Sequence, residues 1–376
     1  MDYTIITAWY DVREKENHPL KNDQLNTFFC CMQYYFDNAK LLFEKPYPMV
    51  IYTEPRFKDL ILQSRPEHLH TITKFVFIDY EDLPLYPLFT QYEANHHKNE
   101  IINLSKEKFT PLYKFIVSHK IEFVKETILS NPFSTNKFAW MDLRLHSIYD
   151  MSVEETTEIM NALTETRVKI MQMGYPCTSE IYGRHDYYSW VRGKAAAGFF
   201  AGYREPLLKF CEMCQEEFME AFRAEMAPKD EMVYSYVISY NPELFDPYCG
   251  DYNSCLLNIS RTRGYQYLAF SFLQKSFDKG NHYYTWKIAE NLRRGFLNGD
   301  ITISTAEIHT VWYYNYVANF WLQNRDYCWT LLDEYYTIAS NMEDVANHIR
   351  ENFHFFKSMI SYMDDKTLIA KFDKFE

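Results

Sequence analysis

Apolar runs and helical stripes alternate along the first part of the chain. Thr4-Ile5-Ile6-Thr7-Ala8-Trp9 is apolar enough for a strand buried on both faces. Leu25, Phe28, Phe29, Met32, Tyr35, Phe36 and Ala39 then recur at helical spacing, and Pro46 and Pro48 close that unit. Met49-Val50-Ile51-Tyr52 predicts a second strand, Phe57–Ser64 a short helix stopped before Pro66, and Ile72–Asp79 a third strand ending on an acid. Strand, helix, strand, helix, strand is the pattern of a mostly parallel sheet flanked by helices. In such a sheet the ligand lies beyond the carboxyl ends of the strands.

A long helical stretch follows, with Leu112, Phe115, Ile116, His119, Phe123, Thr127 and Ile128 on one face and a stop at Asn131-Pro132. Phe138-Ala139-Trp140-Met141 predicts the central strand, which ends abruptly on Asp142, with Arg144 two residues on. The spacing predicts a polar helix over about Ser152–Met171, an amphipathic helix over Glu205–Met226, and another opened by Asp230-Glu231 and ended at Asn241-Pro242. Ile238–Ser260 reads as a connection. Beyond Gly264 the strand signal fades, and helical patterns run over Tyr265–Phe277, His282–Leu297, Ala306–Leu322, Asp326–Ala339 and Asp344–Met363. The expected organisation is a sheet domain over 1–260 and an α-helical C-terminal subdomain over 261–376.

A hydrophobic share of 47% against 24% charged residues is that of a folded chain rather than a disordered one. A net charge of -12 argues against nonspecific binding to nucleic acid or anionic lipid, both of which need basic surfaces. The N-terminus lacks the basic region and cleavage site of a secretion signal, and no apolar run approaches the ~20 residues of a membrane span. A soluble, cytoplasmic protein is expected, with its 8 cysteines as reduced thiols. Cys211-Glu212-Met213-Cys214 has the short spacing of a zinc pair but lies within a helical pattern. The aromatic share of 18% offers rings that could stack on sugars or bases.

Four segments carry candidate chemistry, each with a plainer structural alternative. A carboxylate at a parallel strand end can ligate magnesium or manganese, so Asp142 is the candidate metal ligand; the alternative is a helix or turn cap. Arg144 would pair with that acid or offer a fork to a phosphate. The small residues from Arg192 and Gly193 to Gly202 would let backbone approach a ligand, or would simply permit tight strand packing. Asp230-Glu231 could accept a proton from a hydroxyl, or only offset a helix dipole. Gly250-Asp251-Tyr252 reads as a loop that covers a site or merely turns. Arg13, Arg65 and Lys120 are possible phosphate or base contacts, or solvated charges.

Taken in order, these segments resemble the HtrL/YibB family of glycosyltransferase-like proteins of GT-A fold. The resemblance is carried by Ile5-Ile6-Thr7-Ala8-Trp9-Tyr10-Asp11, by Asn131-Pro132-Phe133 leading to Phe138-Ala139-Trp140-Met141-Asp142, and by Gly198-Phe199-Phe200-Ala201-Gly202. Asp230-Glu231 and Leu244-Phe245-Asp246-Pro247-Tyr248-Cys249-Gly250-Asp251-Tyr252 complete it. It implies a GT-A-like, Rossmann-like sheet and transfer of a sugar from a nucleotide-sugar donor to a glycan or other hydroxyl acceptor. Asp142 would stand at the first acid of the Asp-x-Asp pattern and hold Mn²⁺ or Mg²⁺, with Asp79 or Asp251 as helpers. Arg144 departs from that pattern at its second acid. Thr7, Trp9, Arg13, Arg65, Lys120 and Arg144 would face the donor nucleotide. Gly198, Phe199, Phe200, Gly202, Asp251 and Tyr252 would form the sugar and acceptor wall. Glu231, or Asp230, would be the base of an inverting reaction. The alternatives are a non-catalytic binding protein on a transferase-like sheet, which Arg144 favours, and another nucleotide-dependent transferase. Donor, acceptor and oligomeric state stay open.

Overall fold

The computed structural model describes residues 1–12, 32–99, 101–102, 110–191 and 194–351. Contacts divide the chain into two compact units: Met1–Pro247 with Asp251–Ile259, and Tyr248–Gly250 with Ser260–Glu376.

The strands are β1 (Tyr3–Trp9), β2 (Met49–Thr53), β3 (Thr73–Phe77), β4 (Lys137–Met141), β5 (Val168–Gln172) and β6 (Ala195–Tyr203), all of the first unit, and β7 (Phe245–Cys249), of which the first unit holds Phe245, Asp246 and Pro247. They form a seven-stranded sheet in the order β3-β2-β1-β4-β6-β5-β7. β1, β2, β3 and β4 run parallel, with Ile5 opposite Met49 and Ala139, while β6 is antiparallel to both β4 and β5. β2 and β4 are buried at every position, as strands covered on both faces must be. The expected α/β class, a mostly parallel sheet flanked by helices and followed by a helical C-terminal part, is what the chain adopts.

Its helices are α1 (Met32–Phe43), α2 (Lys58–Ser64), α3 (Phe89–Lys98), α4 (Pro111–Ser118), α5 (Lys120–Ser130), α6 (Leu145–Ile148), α7 (Val153–Asn161), α8 (Arg184–Tyr188), α9 (Arg204–Arg223) and α10 (Asp230–Tyr240). Two departures from the expected elements have physical causes. The polar helix expected to reach Met171 ends at Asn161, and Val168–Gln172 pairs with β6 instead. The long helix before Asn131 breaks at His119, so that Lys120 opens α5. Asn131 then ends α5 in the left-handed conformation at φ 38°, its side-chain amide bridging the N–H and carbonyl of Thr135. That turn delivers the chain into β4. Residues Leu25–Phe29 of the first expected helix lie outside the described residues.

The second unit is helical, with α11 (Gln266–Asp278), α12 (His282–Leu297), α13 (Thr305–Trp321), α14 (Arg325–Asn341) and α15 (Glu343–Glu351). Here the expected boundaries lie within two residues of the observed ones, except that the last pattern runs past the described residues. α12 packs against the loop at Thr262, whose N–H donates to the Asn291 carbonyl at 2.9 Å. No described helix is long and apolar enough to cross a membrane.

Candidate active site

A cleft of about 310 Å³ opens at the carboxyl ends of β1 and β4. β1 is followed in the sequence by β2 on one side, while β4 lies on its other side, so the chain departs in opposite directions from this point. Such a switch point leaves a crevice that no crossover covers, which is where open parallel sheets bind ligands. The floor comes from Ala8–Val12 at and beyond the end of β1 and from Trp140 and Asp142–Leu145 around the end of β4. Tyr113, Ile116, Val117 and Lys120 form one wall, at the spacing of a single helical face, and Tyr35 of α1 stands in another.

Asp142 follows the last residue of β4. Its N–H continues the ladder to the Gly198 carbonyl at 2.8 Å, and its own carbonyl accepts from Leu145 at 3.0 Å to start the turn into α6. The carboxylate is therefore held on a fixed backbone and is 41% exposed. The Trp140 indole N–H donates to its Oδ1 at 2.7 Å. Lys120 Nζ lies 3.0 Å from Oδ1 and 3.3 Å from Oδ2. The same ammonium reaches Asp230 Oδ2 at 3.2 Å and the Ala197 carbonyl at 3.2 Å. Burial works against the charge on Lys120, but Asp142 and Asp230 outweigh it and hold its pKa above the ordinary lysine value. Lys120 is thus a fixed ammonium joining two of the expected site acids.

Asp230 is almost wholly buried at the first turn of α10, and its Oδ1 accepts from the Glu231 N–H at 2.9 Å. The Glu231 carboxylate is held by Lys229 and by the Tyr252 hydroxyl, the latter at 2.9 Å. Neither acid lines the cleft itself; Asp230 touches it through Lys120. Arg144 does line it, with its guanidinium 5.7 Å over the Tyr35 ring. The Tyr10 ring stacks flat on Phe123 at 5.9 Å, and its buried hydroxyl makes no hydrogen bond among the described residues. His119, next to Lys120, gives its Nδ1 to the Phe115 carbonyl at 2.9 Å, and burial pushes its pKa down to about 4. It is a neutral packing residue at physiological pH.

Several expected contacts lie elsewhere. Arg65 is buried away from the cleft: its guanidinium donates to the carbonyls of Phe43, Lys45 and Tyr47 and to the Thr73 hydroxyl. It clamps the turn before β2, with four of its five N–H donors committed there, and it does not line the cleft. Thr7 is buried within β1, opposite Ile51, whereas Trp9 does line the cleft. Phe199 and Phe200 are core residues paired with Met141 and Trp140, so they form no sugar wall. Gly202 packs against Leu207 and the Arg167 carbonyl at the far end of β6. The small-residue segment is thus a strand. Two of its members stand beside the site: Ala197, whose carbonyl accepts from Lys120, and Gly198, where a Cβ would stand 3.2 Å from Leu145 Cδ2 and 3.6 Å from Asp142 Oδ2. Asp251 caps a single turn by accepting from Asn253 and Ser254, and Asp79 is exposed beyond β3; neither lines the cleft. Tyr252 remains half exposed beside Glu231. Arg13, Arg192 and Gly193 lie outside the described residues. Tyr10 and Tyr113 were not among the expected site residues; the Tyr113-Ile116-Val117-Lys120 spacing was the available signal.

The expected Mn²⁺ or Mg²⁺ does not suit these residues. Such ions take about six oxygen ligands. Asp142 already accepts an indole N–H and an ammonium, and an ion bound there would stand against a fixed positive charge. Among the described residues no group of three His, Cys, Asp or Glu side chains could hold a metal. Cys211 and Cys214 are buried thiols on α9.

No curated protein matches the chain. Among solved structures it is similar to a galactosyltransferase, LgtC, in complex with donor and acceptor sugar analogs. The identity is 10% and the TM-score 0.31, over 64% of this chain and 70% of that one, a loose likeness. The profile described as "Bacterial protein of unknown function (HtrL_YibB)" matches residues 1–257, which is most of the first unit. The chain belongs to the HtrL_YibB family.

Proposed function

We propose that this chain is a glycosyltransferase that moves a sugar from a nucleotide-sugar donor to a glycan or other hydroxyl acceptor. The observation that carries this reading is the cleft at the β1/β4 switch point, where Arg144, Lys120 and aromatic rings converge beside Asp142. Rings such as Tyr10, Tyr35 and Tyr113 suit a base or sugar face, and a guanidinium fork suits a diphosphate. The buried Tyr10 hydroxyl gains its missing hydrogen bond from a polar ligand atom.

In an inverting reaction the acceptor oxygen attacks the anomeric carbon. The bond from that carbon to the phosphate oxygen breaks, and its electron pair leaves with the nucleoside diphosphate. The hydroxyl proton passes to a carboxylate. Glu231 suits that role better than Asp230, whose oxygens are occupied by Lys120 and the Glu231 N–H. Tyr252, half exposed above Glu231, would stack on the acceptor. If configuration is retained, Glu231 instead orients the acceptor.

The test is a screen of nucleotide-sugar hydrolysis with and without Mn²⁺, followed by Asp142→Ala in the active pair. Releasing Lys120 and Trp140 from Asp142 misplaces the cleft floor, and the loss expected is on the order of a hundredfold in turnover with the fold intact. Undiminished activity in that variant would overturn the role of Asp142. Absence of binding to any nucleotide points instead to a non-catalytic binding protein.

A further inference from the structure

We infer that Lys120 fills the position of a divalent cation, so that the cleft takes a nucleoside diphosphate without metal and Arg144 is its phosphate contact; this rests on the transferase reading. An ammonium has three N–H donors, and Asp142, Asp230 and the Ala197 carbonyl account for all three. It bridges two carboxylates from different elements, the end of β4 and the start of α10, as an ion between two acids would.

Displacing it is expensive on both sides. The Asp230 side chain is 1% exposed and cannot be left unpaired, and Lys120, at 9%, has no solvated position beside it. An incoming ion would have to evict a buried charge before it gained a ligand. Asp142 and Asp230 together would repel a diphosphate; Lys120 halves their combined charge, and Arg144 supplies the remaining positive charge in the cleft. Arg144 stands two residues further on, in the cleft wall over Tyr35, and its planar fork matches two phosphate oxygens.

The experiment has a metal arm and a nucleotide arm. Mn²⁺ alone is titrated into wild type, Lys120→Met and Asp142→Asn, with bound ion read by electron paramagnetic resonance. Wild type is expected to bind none in the cleft. Lys120→Met, which leaves two carboxylates facing one gap, is expected to gain a site. A wild-type Mn²⁺ site that disappears in Asp142→Asn overturns the inference and leaves the transferase reading standing. If Lys120→Met does not fold, the wild-type comparison with Asp142→Asn decides this arm.

The nucleotide arm measures UDP, GDP, CDP and ADP binding calorimetrically in EDTA and in Mn²⁺. The best of them is expected to bind equally in both, and Arg144→Gln to weaken it roughly tenfold or more, as loss of a charge-assisted contact does. Binding that needs Mn²⁺, or that is unchanged in Arg144→Gln, overturns the inference. Failure of all four to bind in either buffer overturns the transferase reading itself, whatever the metal arm shows.

Discussion

Two buried lysines, six residues apart on consecutive helices, show how neighbours decide a charge. Lys120 keeps its proton because two carboxylates face it, while among the described residues Lys114 has only the Ala227 carbonyl at 3.0 Å and a Tyr92 ring at 5.8 Å. Burial pushes the Lys114 pKa down from 10.5 to about 7. The sign of its effect on stability follows from the protons bound by each state. Below about pH 7 both folded and unfolded chains hold the proton, and the folded state carries the whole desolvation penalty. Between about 7 and 10.5 the unfolded chain still binds a proton that the folded one has released, so stability rises with pH. Lys114→Met has no such proton. Urea midpoints of wild type and Lys114→Met at several pH values should show wild type gaining on the variant through that window. The gain is expected to approach about 1.4 kcal/mol per pH unit. A constant difference between the two proteins would show that Lys114 is charged in the folded state.

At the scale of elements, close approaches set which residue is tolerated. A Cβ on Gly295 of α12 would lie 2.1 Å from the Thr262 carbonyl oxygen, a backbone atom that cannot swing aside. Gly295→Ala would separate α12 from that loop, at an expected cost of about 1–3 kcal/mol or more in denaturant unfolding. An unchanged midpoint would show that the loop yields. Gly198 offers the contrast, since its nearest neighbour is the flexible tip of Leu145 at 3.2 Å, and Gly198→Ala should fold normally. The same contrast explains what was legible in the sequence. Period and punctuation expose β1, β2, β4 and the C-terminal helices, because each needs only local pattern. β5, β6 and β7 were missed: Val168–Gln172 is too short to show alternation, Ala195–Tyr203 carries small residues that suit a ligand loop equally well, and Phe245–Cys249, within the expected connection, is short and interrupted by Pro247. Asp142, Asp230 and Glu231 could be picked out as acids at element ends. The ammonium joining two of them could not, because Lys120, Asp142 and Asp230 meet only through the β4–β6 pairing and the start of α10.

For the whole molecule the division into two units gives the acid-stability question a direction. In the second unit Glu290 on α12 is buried and accepts from Arg293, Arg294, Asn315 and Tyr327. Burial alone would raise its pKa, but Arg293, Tyr327 and Arg294 outweigh that and bring it down from 4.5 to about 2. A depressed carboxylate contributes stability that is complete above about 4.5 and is lost as pH falls toward 2. Glu290→Gln removes the contribution at every pH and leaves Arg293 and Arg294 facing a neutral amide. Arg293 keeps Glu334 and Arg294 is more than half exposed, so neither charge is left buried and unpaired, and losing the charge-assisted hydrogen bonds is expected to cost about 1.5–3 kcal/mol. Because the first and second units are each compact, that loss should fall on α12, α13 and α14. Hydrogen exchange on Glu290→Gln at neutral pH should therefore show faster opening of those helices, with β1, β2 and β4 protected as in wild type. A variant in which all strands and helices lose protection together would show that the two units open as one cooperative body.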